Sequence, residues 1–282
     1  MHRSWHRFSL FHLLSLWCAL GALSAWASDP STGPNSVWME DLTSPELRER
    51  IAAGTTTVLL PIGGTEQNGP HMALGKHNVR VRLIAAQIAQ TLGKTVVAPV
   101  VAYVPEGTVQ PPVAHMRFSG TLTIPDAVFD ALIESTARSL KQHGLRDIVL
   151  LGDHGGYQKN LVRVANKLNR EWVGDPAARV HALSEYYQTT QQEFVQTLKA
   201  RGYSTAEIGT HAGLADTSLA MAVDPTLVRT ARLADAKGFS PADGTYGDPR
   251  RSNVEAGRLG VQQIIDASAK GIRRALQTRT SP

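Results

Sequence analysis

Short apolar runs alternate with longer amphipathic stretches along most of the chain. Thr56-Thr57-Val58-Leu59-Leu60-Pro61 is a run of buried-strand length that ends in the turn signal Gly63-Gly64. Val79 to Leu92 carries apolar residues at helical spacing, and Thr95 to Val101, with four valines, predicts a second strand. A helix is expected from Pro125 to His143, opened by proline and closed by Gly144. Asp147 to Leu151 predicts a strand, Gln158 to Trp172 a helix after Gly155-Gly156, Arg179 to Leu183 a strand, and Glu185 to Ala200 a helix. Further helices are expected over Thr217 to Val223 and Asn253 to Gln277. Strands separated by helices of this length mean βαβ units and a mostly parallel sheet, hence an α/β fold. The stretch 234–252, rich in Gly, Pro and Asp, reads as a long surface loop with a functional role.

The amino terminus breaks this alternation. Arg3 and Arg7 precede an apolar run from Phe8 to about Leu23, followed by Ala25-Trp26-Ala27. A basic start, an apolar middle and small residues at the exit describe a signal peptide over 1–27, cleaved after Ala27. An uncleaved anchor is the competing reading, but the run is shorter than the roughly 20 apolar residues that span a bilayer. Trp17 is too bulky to precede a lipid-modified Cys18. Residues 28–37 read as a polar linker and 38–280 as one domain. Cleavage removes Cys18, the one cysteine, which suits an exported protein of the periplasm or medium and excludes a cysteine nucleophile.

Composition changes this picture little. A chain of 282 residues with 42% hydrophobic and 19% charged residues is ordinary globular material. The net charge of +5 is spread along the chain, so no nucleic-acid-binding stripe is expected, and no membrane contact after cleavage.

In parallel sheets, ligands bind at the carboxyl ends of strands. Glu66 follows the first predicted strand and His154 follows Val149-Leu150-Leu151. His71, His77, His115 and His211 also lie beside turns or in predicted loops. Carboxylates and imidazoles converging from several loops suit zinc, manganese or iron. There is no G-x-S-x-G, P-loop, H-E-x-x-H or C-x-x-C, so the commonest serine hydrolase, nucleotide and zincin readings fall away.

Five segments, in order, resemble the creatininase family: Pro61-Ile62-Gly63-Gly64-Thr65-Glu66-Gln67-Asn68-Gly69-Pro70-His71, His115-Met116-Arg117-Phe118-Ser119-Gly120-Thr121, Gly152-Asp153-His154-Gly155-Gly156-Tyr157, His211-Ala212-Gly213-Leu214-Ala215-Asp216-Thr217-Ser218 and Gly247-Asp248-Pro249. The resemblance implies a three-layer α/β/α sandwich, a homo-oligomer, and a one- or two-metal centre that opens cyclic or linear amides of small molecules. By position it implies Glu66, His77 and His154 as metal ligands. His211 falls to acid/base catalysis, and Asp216, also able to cap the helix near Thr217, to a catalytic or orienting role. Asn68, His71, His115, Asp153 and Tyr157 are the remaining candidates for a second metal or for substrate.

Two positions depart from the family pattern. Asn68 stands where the family has a histidine ligand, and His77 where it has a bridging aspartate. A carboxylate can bridge two cations, whereas a neutral imidazole offers one nitrogen. One divalent transition metal per chain is therefore expected. Two functions compete: a metal-dependent amidohydrolase, and a non-catalytic periplasmic protein that binds a small molecule on the same fold.

Overall fold

The computed structural model describes residues 35–175, 177–234 and 238–280, so the predicted signal peptide and residues 28–34 of the linker lie outside the described residues. In chain order the elements are α1 (Ser44–Ala52), β1 (Thr57–Ile62), α2 (Lys76–Leu92), β2 (Thr95–Val97), α3 (Asp126–Gln142), β3 (Asp147–Gly152) and α4 (Gln158–Glu171). There follow β4 (Arg179–Ala182), α5 (Ser184–Gln191), α6 (Glu193–Ala200), α7 (Thr205–Ile208), α8 (Leu214–Val223), α9 (Thr230–Leu233) and α10 (Val254–Thr280).

The four described strands form one parallel sheet in the order β2-β1-β3-β4. Alternate residues of each strand face opposite sides. Val58, Leu60, Ile148 and Leu150 pack under α3 and α4, where Phe129, Ile133, Leu161 and Leu168 are buried. Leu59, Val149 and Leu151 face α2, α5, α6, α8 and α10. The result is the expected three-layer α/β/α arrangement. Helices α8 and α10 are in close contact: a Cβ on Gly257 would lie 1.9 Å from the Ser218 carbonyl oxygen.

Several boundaries differ from the sequence reading. The second strand ends at Val97, because Pro99 has no N–H for the ladder, although Val101 rejoins as an isolated bridge to Ile62. The helix expected over 185–200 is broken at Gln192 into α5 and α6. Their buried residues differ in destination: Tyr186 of α5 donates to Asp153, while Phe194 and Leu198 of α6 enter the second core layer. The end of the predicted linker is packed, with Ser36 buried and the Val37 carbonyl accepting from Val97 N–H. The loop 234–252 holds two short 3-10 turns, Pro241–Asp243 and Pro249–Arg251, and Tyr246 bridges to His211.

The strand order places the site. The chain leaves β1 toward β2 and leaves β3 toward β4, so a crevice opens between the carboxyl ends of β1 and β3.

Candidate metal centre

Glu66 lies just past β1, and Asp153 and His154 just past β3, so all three reach the crevice. Glu66, Glu106, His115 and His154 each offer one donor atom, and these atoms lie within 4.8 Å of one another. Glu66 Oε2 is 3.2 Å from His115 Nδ1 and 3.7 Å from His154 Nε2, while Glu106 Oε2 is 3.6 Å from His154 Nδ1. Bonds of 2.0–2.1 Å around a tetrahedral zinc put its ligands about 3.3–3.4 Å apart, so Glu66 stands near that spacing from His115 and from His154 Nε2, while Glu106 approaches the other nitrogen of that ring.

The hydrogen bonding points the same way. Glu66 Oε2 and both carboxyl oxygens of Glu106 are buried, and among the described residues no other group donates to them, so the two carboxyl groups have only each other. Buried carboxylate oxygens left without a donor are costly. A cation would satisfy all three.

Burial, reinforced by the negative Glu66, pushes the Glu106 carboxyl up to about 9. Burial also opposes ionisation of Glu66, but the hydrogen bond and electrostatic pull of His77, helped by His154 and Lys76, bring its carboxyl below the usual range. Burial lowers His154 to about 3 and moves His115 down as well, so both rings are neutral and keep a lone pair for a metal. Gly64, at φ +148, makes room here: a Cβ on it would lie 2.7 Å from Glu106 Oε1.

His77 is placed otherwise than the resemblance implies. It sits at the start of α2, where Nε2 meets Glu66 Oε1 at 2.7 Å and Nδ1 meets Asp153 Oδ2 at 2.5 Å. Both ring nitrogens are taken by carboxylates, so the ring props Glu66 rather than joining the four-residue cluster. Asn68 donates through its amide nitrogen to the carbonyls of Glu66, at 2.8 Å, and Ala73, at 3.1 Å, while its buried Oδ1 has no hydrogen-bond partner among the described residues.

Asp216 is not a helix cap. It lies inside the first turn of α8, whose N-cap is Gly213, and accepts from Ala212 N–H at 3.0 Å, from Arg80 Nη1 at 2.8 Å and from Lys76 Nζ. These two cations outweigh its burial and hold it well below the usual carboxylate range. Asp153 is buried and accepts from Arg80 Nε and from the Tyr186 hydroxyl, at 2.8 Å from the latter. Tyr157 is a structural pin rather than a substrate contact. Its buried hydroxyl accepts from the N–H groups of Asp153 and His154 and lies 2.7 Å from the carbonyls of Ile62 and Gly63. His71 is buried against Thr217 Oγ1, at 2.9 Å, and burial lowers it to about 4.

His211 stands at the edge of the cluster. Its Nε2 lies 3.0 Å from the Gln67 carbonyl, which only accepts, so Nε2 carries the proton and Nδ1 keeps its lone pair. That Nδ1 is 3.7 Å from Glu66 Oε1. Burial, with the nearby Lys76, lowers the ring to about 4. A cavity of about 160 Å³ opens beside it, lined by His115, His154, Tyr187, Thr190 and His211 among others.

Two contributors escaped the sequence reading. Gln67 joins the histidines: its Nε2 lies 2.9 Å from His115 Nδ1, and its backbone carbonyl accepts from His211 Nε2. Glu106 had one available signal, being the only acidic residue between Glu66 and Asp126, set between Pro105 and Gly107.

Fold and site together define a parallel α/β protein with a two-carboxylate, two-imidazole centre at its switch crevice. The creatininase family profile, described as creatinine amidohydrolase, matches residues 40–272, and the chain belongs to that family. It is 26% identical over 263 residues to the creatinine amidohydrolase of Pseudomonas putida, covering 88% of this chain and 98% of that protein. Among solved structures, a creatininase with Mn aligns with a TM-score of 0.71 and a mutant creatininase of Zn-Zn type with 0.70. Each is 27% identical, across 85% of this chain and 98% of the other.

Proposed function

We propose that this chain is a metal-dependent amidohydrolase that cleaves a non-peptide C–N bond, in a cyclic or linear amide of a small molecule. The observation that carries the reading is the buried set Glu66, Glu106, His115 and His154, with three carboxyl oxygens that no group outside the pair of glutamates reaches. These four residues would hold one divalent transition ion, zinc, manganese or iron. Such an ion, when bound, polarises a carbonyl and makes water a better nucleophile at neutral pH.

The chain's own residues supply the rest. His211, neutral and with Nδ1 free, takes a proton from the attacking water and returns it to the leaving nitrogen. Gln67 holds His115 through its side-chain amide, whose own Oε1 is pinned by Gly69 N–H at 2.9 Å, and His211 through its backbone carbonyl. Val195, Ile208 and Leu219 form an apolar side of the cavity and limit water there. The basic, apolar and small-residue order of residues 3–27 supports export before function.

The test is metal analysis of purified protein combined with hydrolysis of a panel of lactams, cyclic ureides and linear amides. Bound transition metal, with turnover that a chelator abolishes and added zinc or manganese restores, is expected. Metal-containing protein that turns over none of the panel, yet gains melting temperature from one of its compounds, would instead establish the non-catalytic binding protein.

A further inference from the structure

Beside the four-residue cluster lie further carboxylate and imidazole side chains that the proposed chemistry leaves unused. Asp153, Asp216 and His77 face the same cavity as His154 and His211. Carboxylate and imidazole are donor types that a divalent ion takes, but these three are not gathered around one point as the four-residue cluster is. In this chain every one of them is already engaged.

Asp153 receives Arg80 Nε at 2.9 and 3.1 Å, the Tyr186 hydroxyl at 2.8 Å and His77 Nδ1 at 2.5 Å. Asp216 receives Arg80 Nη1 at 2.8 Å and Lys76 Nζ. The other nitrogen of His77 is spent on Glu66. Lys76 is 0% exposed and Arg80 3%, so both charges are held inside the protein. Burial opposes the charge on Arg80, but Asp153 and Asp216 raise its guanidinium above the usual range. A buried charge persists only when paired, and here each cation is matched to aspartate. Both cations stand on the first turns of α2, one helical turn apart, which aims them at the same crevice.

We propose that Lys76 and Arg80 supply from the chain itself the positive charge that a second divalent ion would bring. The centre then takes one ion, on the side of Glu66, Glu106, His115 and His154, whereas a related creatininase is of Zn-Zn type. A second dication would have to displace two buried cations from their aspartates or sit against them in a medium that screens poorly. The proposal rests on the metal-dependent reading given above.

The experiment titrates metal-free full-length mature protein with Zn²⁺ or Mn²⁺ by calorimetry and counts retained metal after gel filtration. Saturation at about one equivalent, with one ion retained per chain, is expected. Two ions per chain would overturn this proposal and leave the metal-dependent reading intact, whereas none would overturn both. Lys76→Met is expected to raise the retained metal toward two and to enlarge the metal-induced gain in melting temperature over that of the parent. A Lys76→Met protein that folds only in excess metal is judged the same way, by the number of ions it retains. Lys76→Arg, which keeps the cation, is expected to match the parent. Folded Lys76→Met that retains one ion with the parent's thermal gain would sink the idea, and if it does not fold at all the parent's stoichiometry decides.

Discussion

The lone pair of His211 Nδ1 is defined by what its other nitrogen does. The Gln67 carbonyl can only accept, so the proton stays on Nε2 and Nδ1 points toward Glu66. The ring is neutral at pH 7 because burial and Lys76 lower it to about 4. His211→Ala is therefore expected to reduce kcat by about 10²–10⁴-fold, the usual effect of losing an acid/base group. Retained metal is expected to stay at the parent level, measured on the same preparation; a variant that loses metal would make His211 a ligand. Its candidacy was legible in the Thr-His-Ala-Gly segment before a helix. The proton's position was not, because it depends on a carbonyl 144 positions away.

At the scale of elements, β1 and β3 deliver their residues to the site through one phenol. The Tyr157 hydroxyl, at the start of α4, ties the carbonyls that end β1 to the N–H groups of Asp153 and His154 after β3. Tyr157→Phe leaves the His154 N–H and the Gly63 carbonyl short of this partner, while Asp153 N–H keeps the Ile62 carbonyl, a loss of about 1–3 kcal/mol. Urea unfolding is expected to show that loss, and metal titration a weaker affinity, because His154 is no longer held in place. No change in either would remove the pin. Burial raises the hydroxyl well above its ordinary range, so it stays protonated across the working pH. The strands themselves were legible from apolar runs of the right length, since a strand covered on both faces needs no polar alternation. The break at Gln192 was not, because it comes from two helices packing on different layers and leaves no Gly or Pro in the sequence.

For the whole molecule, the Glu66–Glu106 pair links stability, pH and metal. Without metal, Glu106 titrates at about 9 when folded, against about 4.3 for a free glutamate. Between these values the folded state holds a proton that the unfolded state has lost. Stability of the metal-free protein is thus expected to fall as pH rises from about 4.3 to about 9 on account of this group. A bound dication replaces the proton, so metal binding at pH 7 is expected to release about one proton per chain through Glu106. Calorimetry in buffers of different ionisation enthalpy measures that release. Glu106→Gln is expected to lose both the release and most of the metal affinity, and release undiminished in this variant would place the proton elsewhere. Among the described residues no helix is long and apolar enough to cross a membrane.

What the sequence determined by itself follows from local rules. Apolar runs set between amphipathic stretches specify a parallel α/β sheet, and residues that directly follow its strands must collect at one edge. Glu66 and His154 are such residues, so their meeting was legible despite 88 intervening steps along the chain. The tertiary structure alone decided the rest. Glu106 and His115 arrive from the irregular segment between β2 and α3, where no period announces which side chains point inward. His77 occupies a ligand position by sequence, yet its ring is captured by Glu66 and Asp153. Lys76, just before the helix expected from Val79, and Arg80, within it, look like ordinary surface cations, and only the packing of α8 against α2 brings Asp216 to them. Burial removes water from charges, so which partner each one finds depends on the elements packed around it and not on its neighbours in the chain.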